Sequence, residues 1–513
     1  MDSIFDDAEE LEDKREYPLT PSQAFQLNAD QQAAFDYLVP FCLGEGTTTK
    51  ALLEGFAGTG KTFTINRVVE AVKASNPGIS FGMTAPTHKA VRQLYKHSEL
   101  KTGLDFATIH AFLGLKQVMK PDPKDKRKMI EVFEPDKSGD FAPRINDINI
   151  LIVDEASMLS DELYGYIDDA VRSSRVRVIF MGDPLQIPPV GNSQDRSKNK
   201  DAIPFVPAQQ QSRKIHPLKL VEIVRQAKDN PIIAYSLAIR EQYLRQNIVA
   251  TYDYDETSGV EVIERKLPAV RELIRKYFCT RNFRRDPDYI KIVAWRNDTV
   301  DYFNKEVRLL MNGVDSLPKI IVGDKLVLDK PFTIGKRTLA TSEELEVLSA
   351  AVTSYPHKYH IIDRGTAFDK TMQETDGFDL DEAQKKSFEE MFIIYHCEVK
   401  AMDGKTYNVR ILHEDSQQAY DDIQKRIADA AKKCTDFDRL EMWKQFYNMQ
   451  KKFAWTKYNY CLTGHKSQGS TYDYCISMEW DIDVARQIVG FEESNRIRYV
   501  AATRARNKLF IVK

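Results

Sequence analysis

Ala51-Leu-Leu-Glu-Gly-Phe-Ala-Gly-Thr-Gly-Lys-Thr62 decides how this chain is read, because Gly55 to Thr62 follows the pattern Gly, four residues, Gly-Lys-Thr. The apolar run Ala51 to Leu53 leads into it, and Ile65, Val68, Val69 and Val72 follow on an amphipathic stretch. A strand, a loop and a helix are therefore expected in that order. Gly58 and Gly60 carry no side chain, which lets backbone N–H groups close round phosphate oxygens while the positive end of the helix faces the same anion. On this reading Lys61 reaches the β and γ phosphates of a nucleotide, and the Thr62 hydroxyl holds Mg²⁺. A glycine-rich turn could match the same letters by chance, but a second nucleotide element lies downstream. Gly404-Lys-Thr406 lacks the leading glycine and belongs to a Met-Asp-Gly turn between apolar runs, so it is a decoy.

The 513 residues predict roughly three to four domains, and 42% hydrophobic with 29% charged residues is ordinary for a soluble globular chain. A net charge of −3 gives no global basic signal, so any nucleic-acid site must be a local basic lining. Cys42, Cys279, Cys397, Cys434, Cys461 and Cys475 lie far apart, with no Cys-x-x-Cys and no Cys/His cluster at metal spacing. That predicts reduced thiols and argues against zinc. The strongly acidic start, Met1 to Glu16, has no apolar signal segment, and no run reaches the ~18 apolar residues of a membrane span. The expectation is a soluble cytoplasmic protein without membrane attachment, in the host-cell cytoplasm if a phage encodes it.

Further candidates follow along the chain. Asn28 suits a helix N-cap, and Gln31, whose amide both donates and accepts, could read an adenine edge, although a surface glutamine on a helix is commoner. Ile79 to Met83 reads as a strand ending in Thr84-Ala-Pro-Thr-His-Lys-Ala-Val91, and Thr108 with His110 repeats the pattern of hydroxyl and imidazole groups suited to phosphate contact or to helix capping. Two β-prone runs, Lys116 to Lys120 and Met129 to Phe133, flank a basic proline-containing loop and predict a protruding hairpin, or a tolerated surface insertion. Asp147 to Val153 is a largely apolar strand of a buried parallel sheet that delivers Asp154 and Glu155 at its carboxyl end. Asp154 could hold the water shell of Mg²⁺, and Glu155 could orient or deprotonate an attacking water. Val176 to Met181 is another buried strand, followed by Gln186, where a neutral amide could sense a terminal phosphate. Leu218 to Gln226 is amphipathic and presents Arg225, a cation that could reach the nucleotide from a second domain. Between about Asp329 and Trp455 the α/β alternation stops, with strands expected at Glu344 to Val347, Met391 to Lys400 and Tyr407 to His413 and an acidic loop from Asp363 to Glu389.

The strings LNADQ, GFAGTGKT, TAPTHKA, TIHAF, DEAS, GDPLQIPPV, Val224-Arg-Gln226, HKSQGSTYD and YVAATRAR stand in family order from Leu27 to Arg506. Together they resemble superfamily 1B helicases, most closely the Dda-type and RecD-like group of phages and bacteria. The resemblance implies an α/β fold with two RecA-like parallel-sheet domains, ATP between them and single-stranded DNA across their tops. It implies an acidic tail at 1–19, a first domain at 20–208 carrying a pin insertion at 114–145, a second domain at 209–328 and 456–513, and an inserted SH3-like barrel with a helical extension at 329–455. ATP contacts fall on Gln31, Gly55, Ala57, Gly58, Thr59, Gly60, Lys61, Thr62 and Gly469, with Mg²⁺ on Thr62 and Asp154. Glu155 becomes the water residue, Gln186 the γ-phosphate coupler, and Arg225 and Arg504 arginine fingers. Arg506 is the lesser finger candidate, read as surface or phosphate-adjacent. DNA contacts fall on Pro86, Thr87, His88, Thr108, His110, His465 and Ser467, and the pin offers Val118 or Phe133 as a wedge. Travel from 5′ to 3′ and sufficiency of a monomer rest on resemblance alone. Gly464 departs from the β-branched residue usual in the family, which implies a looser DNA-contacting loop.

Two activities remain open: a helicase acting on single strands and single-strand/duplex junctions, with replication or recombination proteins as partners, or a translocase that displaces bound proteins without productive unwinding. A nucleotide-dependent binding module without turnover is the third reading, and Glu155 with the two arginines argues against it.

Overall fold

A computed structural model describes residues 27–136, 142–187, 215–223, 230–241, 254–335, 337–362, 385–434 and 436–513. The acidic tail and Arg225 lie outside the described residues.

Strands β1 (Lys50–Gly55), β2 (Phe81–Ala85) and β3 (Leu104–Thr108) are followed by a two-stranded hairpin, β4 (Leu115–Pro121) and β5 (Met129–Pro135). Then come β6 (Ile150–Val153), β7 (Arg177–Gly182) and β8 (Ile215–Leu220). The six outside the hairpin form one parallel sheet in the order β3-β2-β6-β7-β1-β8. Alternation within β1 divides its side chains between two cores. Ala51 and Leu53 pack with Ile65, Val68 and Val72 of helix Lys61–Ser75, whereas Leu52 turns to Leu151, Phe180 and the helix Asp161–Ser173 side. Both faces of the sheet are thus covered, which is why its strands are apolar throughout.

The second sheet comprises β9 (Gly259–Ile263), β10 (Ile290–Ala294), β18 (Cys461–Thr463), β19 (Tyr472–Met478) and β20 (Ala505–Val512), all parallel, in the order β18-β10-β19-β20-β9. Between β10 and β18 the chain builds β11 (Lys325–Leu328), the ribbon β12 (Phe332–Ile334) with β13 (Arg337–Leu339), β14 (Glu344–Ile362), β15 (Lys385–Ala401), β16 (Thr406–Leu412) and β17 (Thr456–Tyr458). Five of these make an antiparallel sheet, β16-β15-β14-β11-β17, followed in its core by helices Gln417–Lys433 and Asp436–Gln450.

Several sequence expectations shift. The chain divides into two compact units, one holding both parallel sheets and the other joining Lys116–Glu134 to Val314–Asn459. Most of the hairpin therefore groups with the inserted region in one compact unit. Strands β11 and β17 pair antiparallel with each other, which moves 325–328 and 456–458 out of the second parallel-sheet domain. The amphipathic stretch from Leu218, expected in the second domain, begins within β8, which pairs parallel with β1 along Lys50 to Gly55 and so belongs to the first sheet. Strands β14 and β15 run 19 and 17 residues, far past their expected lengths, and β15 takes in the end of the stretch read as an acidic loop.

Candidate nucleotide site and the hairpin

Strand β1 ends in a loop that closes on itself. Gly58 and Gly60 take φ of +82° and +81°, a left-handed conformation that glycine adopts without steric cost. A Cβ on Gly55 would lie 2.5 Å from Thr59 Oγ1, so only glycine admits the Thr59 side chain, whose hydroxyl donates to the Phe56 carbonyl at 2.8 Å. Gly60 caps helix Lys61–Ser75 without a side-chain hydrogen bond, leaving the first amides of that helix for an anion. The Lys61 ammonium donates to the carbonyl oxygens of Gly55 at 2.6 Å and Phe56 at 3.2 Å, which holds it within the loop. Gln31 is buried and acts as a brace: its Nε2 donates to the Thr59 carbonyl at 3.0 Å, and its Oε1 accepts from the Asn28 amide at 3.1 Å in a capping box.

Because β7 lies between β1 and β6, three carboxylates converge beside this loop: Asp154 and Glu155 after β6, and Asp183 after β7. Glu155 sits at φ 51°, ψ 37°, a left-handed conformation that costs a non-glycine residue about 1 kcal/mol or more. Its amide donates to Asp154 Oδ1 at 2.9 Å, which holds the Asp154 carboxylate against the turn. Burial raises the Asp154 pKa above the usual carboxylate range. Burial, reinforced by the Asp154 charge, pushes Glu155 up to about 7, against the pull of Arg504 and Lys61. Asp183 is likewise raised by burial and is countered by Lys61, by the Tyr499 hydroxyl and by Arg504. Among the described residues no group of three or more His, Cys, Asp or Glu could hold a metal ion alone. Thr62 and Asp154 are the side chains that could hold Mg²⁺, which would take most of its ligands from water and substrate phosphates. The Ser157 hydroxyl donates to Gln186 Oε1 at 3.4 Å, tying the loop after β6 to the loop after β7.

The carboxyl-terminal sheet domain reaches this site. Arg504, in the turn just before β20, is 6% exposed. Its guanidinium donates to the carbonyls of Val500 at 3.0 Å and Ser470 at 2.8 Å, while its charge acts on Glu155 and Asp183. Arg496 Nη1 donates to the carbonyls of Pro184 (2.7 Å) and Gln186 (3.0 Å), and Gln468 Nε2 donates to that of Ile187 (2.7 Å). Gly469 comes so close to helix His88–His97 that a Cβ on it would meet Ala90 Cβ at 3.1 Å. Arg506, by contrast, is half-exposed and pairs with Asp473 at 3.6 Å. Residues not singled out from sequence also meet here. The Tyr499 hydroxyl accepts from the Ala57 amide at 3.1 Å and donates to Asp183 Oδ2 at 2.6 Å. The Arg240 guanidinium lies 4.1 Å from the Phe56 ring centroid. Tyr499 and Asp183 stood inside recognisable strings, YVAATRAR and GDPLQ, but nothing local marked either as a bridge.

The DNA candidates divide by burial. Pro86 to His88 follow β2 and His110 follows β3, neighbouring strands that register Ala85 with Thr108, so these groups share one sheet end. His465 follows β18, the edge strand of the second sheet. Burial lowers the pKa of both His110 and His465, which keeps the rings neutral at neutral pH and makes them hydrogen-bonding groups, not cations. Three side chains are instead spent on local structure. Thr87 and Thr108 cap helices through the amides of Ala90 and Ala111, and Ser467, fully buried, donates to the Gly464 carbonyl at 2.8 Å. Gly464 does not loosen its loop. A Cβ there would lie 3.0 Å from Ile497 Cγ2 and 3.4 Å from Ile187 Cδ1, so the missing side chain permits tight packing.

In the other unit, β4 and β5 form the expected hairpin. Val118 is half-buried, and Phe133 is 42% exposed. Helix Asp436–Gln450 and the residue that follows it support the hairpin: Trp443 Nε1 donates to the Arg127 carbonyl at 3.0 Å, the Tyr447 hydroxyl to that of Met129 at 2.6 Å, and Lys451 pairs with Glu131 at 2.7 Å. Met119 and Met129 pack into the aromatic core of the same unit.

Several known proteins are similar to this chain. Residues 26–264 match the AAA domain family. An uncharacterized protein of Acanthamoeba polyphaga mimivirus is 22% identical over 475 residues, covering 87% of this chain and 92% of that protein. The ATP-dependent DNA helicase Pif1 of Psychrobacter sp. (strain PRwf-1) is 25% identical over 164 residues, and Pif1 of Saccharomyces cerevisiae (strain YJM789) is 29% identical over 150 residues. Those matches take in 30% and 28% of this chain, and only 22% and 16% of the two helicases. Among solved structures, the Pif1 helicase from Bacteroides in complex with ADP-AlF3 and ssDNA aligns with a TM-score of 0.47 at 16% identity, covering 94% of this chain and 92% of that one. Among the described residues no helix is long and apolar enough to cross a membrane.

Proposed function

We propose that this chain, a superfamily 1B helicase, hydrolyses ATP to move along single-stranded DNA from 5′ to 3′ and to part duplex DNA ahead of it. The observation that carries the reading is the approach of Arg504 and Tyr499, from the carboxyl-terminal sheet domain, to the phosphate loop and the carboxylates of the amino-terminal one. Cations around a departing phosphate stabilise phosphoryl transfer, and a cation supplied by a second domain makes turnover depend on how the domains meet.

In this scheme Lys61 and the amides of Gly58 to Thr62 hold the phosphates, Thr62 and Asp154 hold Mg²⁺, and Glu155 orients the attacking water. Mg²⁺, when bound, neutralises phosphate charge. Gln186 reports the state of the terminal phosphate, and Arg504 faces it, with Arg225 as a second finger. Gln31 acts on the nucleotide through the loop it braces, with its remaining amide hydrogen available to adenine. Pro86, Thr87, His88, His110 and His465 line the strand path, where contacts directed at the sugar-phosphate backbone are indifferent to sequence. Thr108 and Ser467 contribute by shaping backbone at the same sheet ends.

The hairpin favours unwinding over bare translocation, because Phe133 is partly exposed on a ribbon held by Trp443 and Tyr447. An unwinding assay with 5′-tailed and 3′-tailed duplexes and Mg-ATP tests both parts. Separation of the 5′-tailed substrate is expected. Separation of the 3′-tailed substrate alone would reverse the direction, and ATP hydrolysis with neither separated would leave a translocase.

A further inference from the structure

Tyr499 is 2% exposed, and its single oxygen joins three elements that are remote in the chain. It accepts from the Ala57 amide in the phosphate loop, donates to Asp183 Oδ2 at the end of β7, and belongs to helix Phe491–Ala502. The last turn of that helix also fixes Arg504. The Thr503 amide and hydroxyl both donate to the Tyr499 carbonyl at 3.0 Å, Arg504 Nε donates to the Val500 carbonyl at 3.0 Å, and Arg504 Nη2 donates to Thr503 Oγ1 at 3.1 Å. The phenol and the guanidinium therefore move as one rigid turn.

We propose that Tyr499 is a positioning residue: its hydroxyl transmits the conformation of the phosphate loop at Ala57 to the turn that carries Arg504. This rests on the reading of the chain as an ATP-driven motor and adds the route by which loop and finger are coupled. A hydrogen bond suits the task because it is directional, so a displacement of a few tenths of an ångström at Ala57 either pulls the phenol along or breaks the bond. Docking of the helix does not depend on it. One turn earlier, Arg496 holds the carbonyls of Pro184 and Gln186, and Ile497 and Val500 are buried in the surrounding core. Replacement by phenylalanine keeps the ring in that core and removes only the bridge.

The test is a double-mutant cycle on the full chain, with phosphate release measured with and without oligo(dT): wild type, Tyr499→Phe, Arg504→Ala and the double variant. Tyr499→Phe is expected to lower the DNA-stimulated kcat about tenfold while shifting the KM for ATP less than about twofold, and to cause less than about a twofold further loss in the Arg504→Ala background. Losses that simply multiply, or a loss confined to KM, would overturn the proposal, since a purely structural role predicts independence from Arg504. Should Tyr499→Phe unfold, Asp183→Ala removes the oxygen that accepts from the phenol and must show the same dependence on Arg504. Lys61→Ala separates the two claims. A wild-type chain without Lys61-dependent hydrolysis sinks the motor reading and this inference together, whereas Lys61-dependent hydrolysis with independent losses sinks this inference alone.

Discussion

The two compact units hold their working parts by opposite means. Around the phosphate loop, the apolar contact of Ile187 with Ile497 and its neighbours is supplemented by polar groups that reach across between the two parallel-sheet domains: the Tyr499 hydroxyl, the Arg496 guanidinium and the Gln468 amide, most of them bonded to backbone carbonyls. In the hairpin unit the support is a bed of rings. Phe392, Tyr420 and Phe453 lie 5.7 to 6.1 Å apart by centroid, Trp443 and Phe446 5.2 Å apart, and only a few bonds reach the hairpin itself. Directional bonds fail on a small rotation, so the first arrangement suits a joint that must register a change of state. Close-packed rings lose contact only gradually as they slide, so the second suits a mount that must stay stiff.

If that contrast is right, damage in one unit should abolish chemistry and damage in the other should abolish strand separation. The largest effect belongs to Lys61→Ala, expected to cut DNA-stimulated ATP hydrolysis by about a thousandfold or more while leaving thermal unfolding unchanged, read by phosphate release and calorimetry. Next comes Trp443→Ala. Truncating this buried ring should destabilise the hairpin unit by about 3–5 kcal/mol in denaturant melts and abolish unwinding, with the ATPase within about twofold of wild type. Trp443→Phe, which loses mainly the bond to the Arg127 carbonyl, should cost about 1 kcal/mol. A matching loss of ATPase in either variant would erase the distinction.

A third effect comes from His357, 2% exposed and stacked between Tyr359 and Phe392, with neither ring nitrogen hydrogen-bonded among the described residues. Burial, aided by the Lys452 charge, lowers its pKa to about 4. The folded protein keeps the ring neutral and the unfolded chain takes up the extra proton, so this stability is complete above about pH 6.5 and is lost as the pH falls toward 4. The loss should approach about 3 kcal/mol and vanish in His357→Phe, measured by chemical denaturation across that range. The smallest effect is expected from Phe133→Ala: unwinding slowed by about threefold to tenfold with hydrolysis unchanged. An unaltered unwinding rate would remove Phe133 as the wedge.

How much could be read in advance follows the same division. The phosphate loop, the apolar strand ending in Asp154 and Glu155, and the hairpin were legible because each is defined by near neighbours in sequence. Gln31 and Thr108 show the limit. Side-chain chemistry points to both as ligand contacts, and each also bonds backbone within its own fold, one bracing the loop and the other capping a helix turn. Residue type announces capacity to bond, and packing decides with what. The apolar alternation of β14 and β15 was undervalued because much of each strand is exposed, so no run of buried residues announced its length.

By itself the sequence determined that a glycine-rich loop between a strand and a helix precedes an acidic strand end, and that a third, differently patterned region interrupts the second α/β half. These follow from spacings of a few residues, where steric and hydrogen-bonding rules act locally. Only the tertiary structure decided that Tyr499 bridges Ala57 and Asp183, that Arg504 bears on Glu155, and that Trp443 carries the hairpin at Arg127. The bonded pairs among these stand 442, 316 and 316 residues apart. Contacts at such separation are settled by how whole sheets pack against one another, which no local spacing encodes.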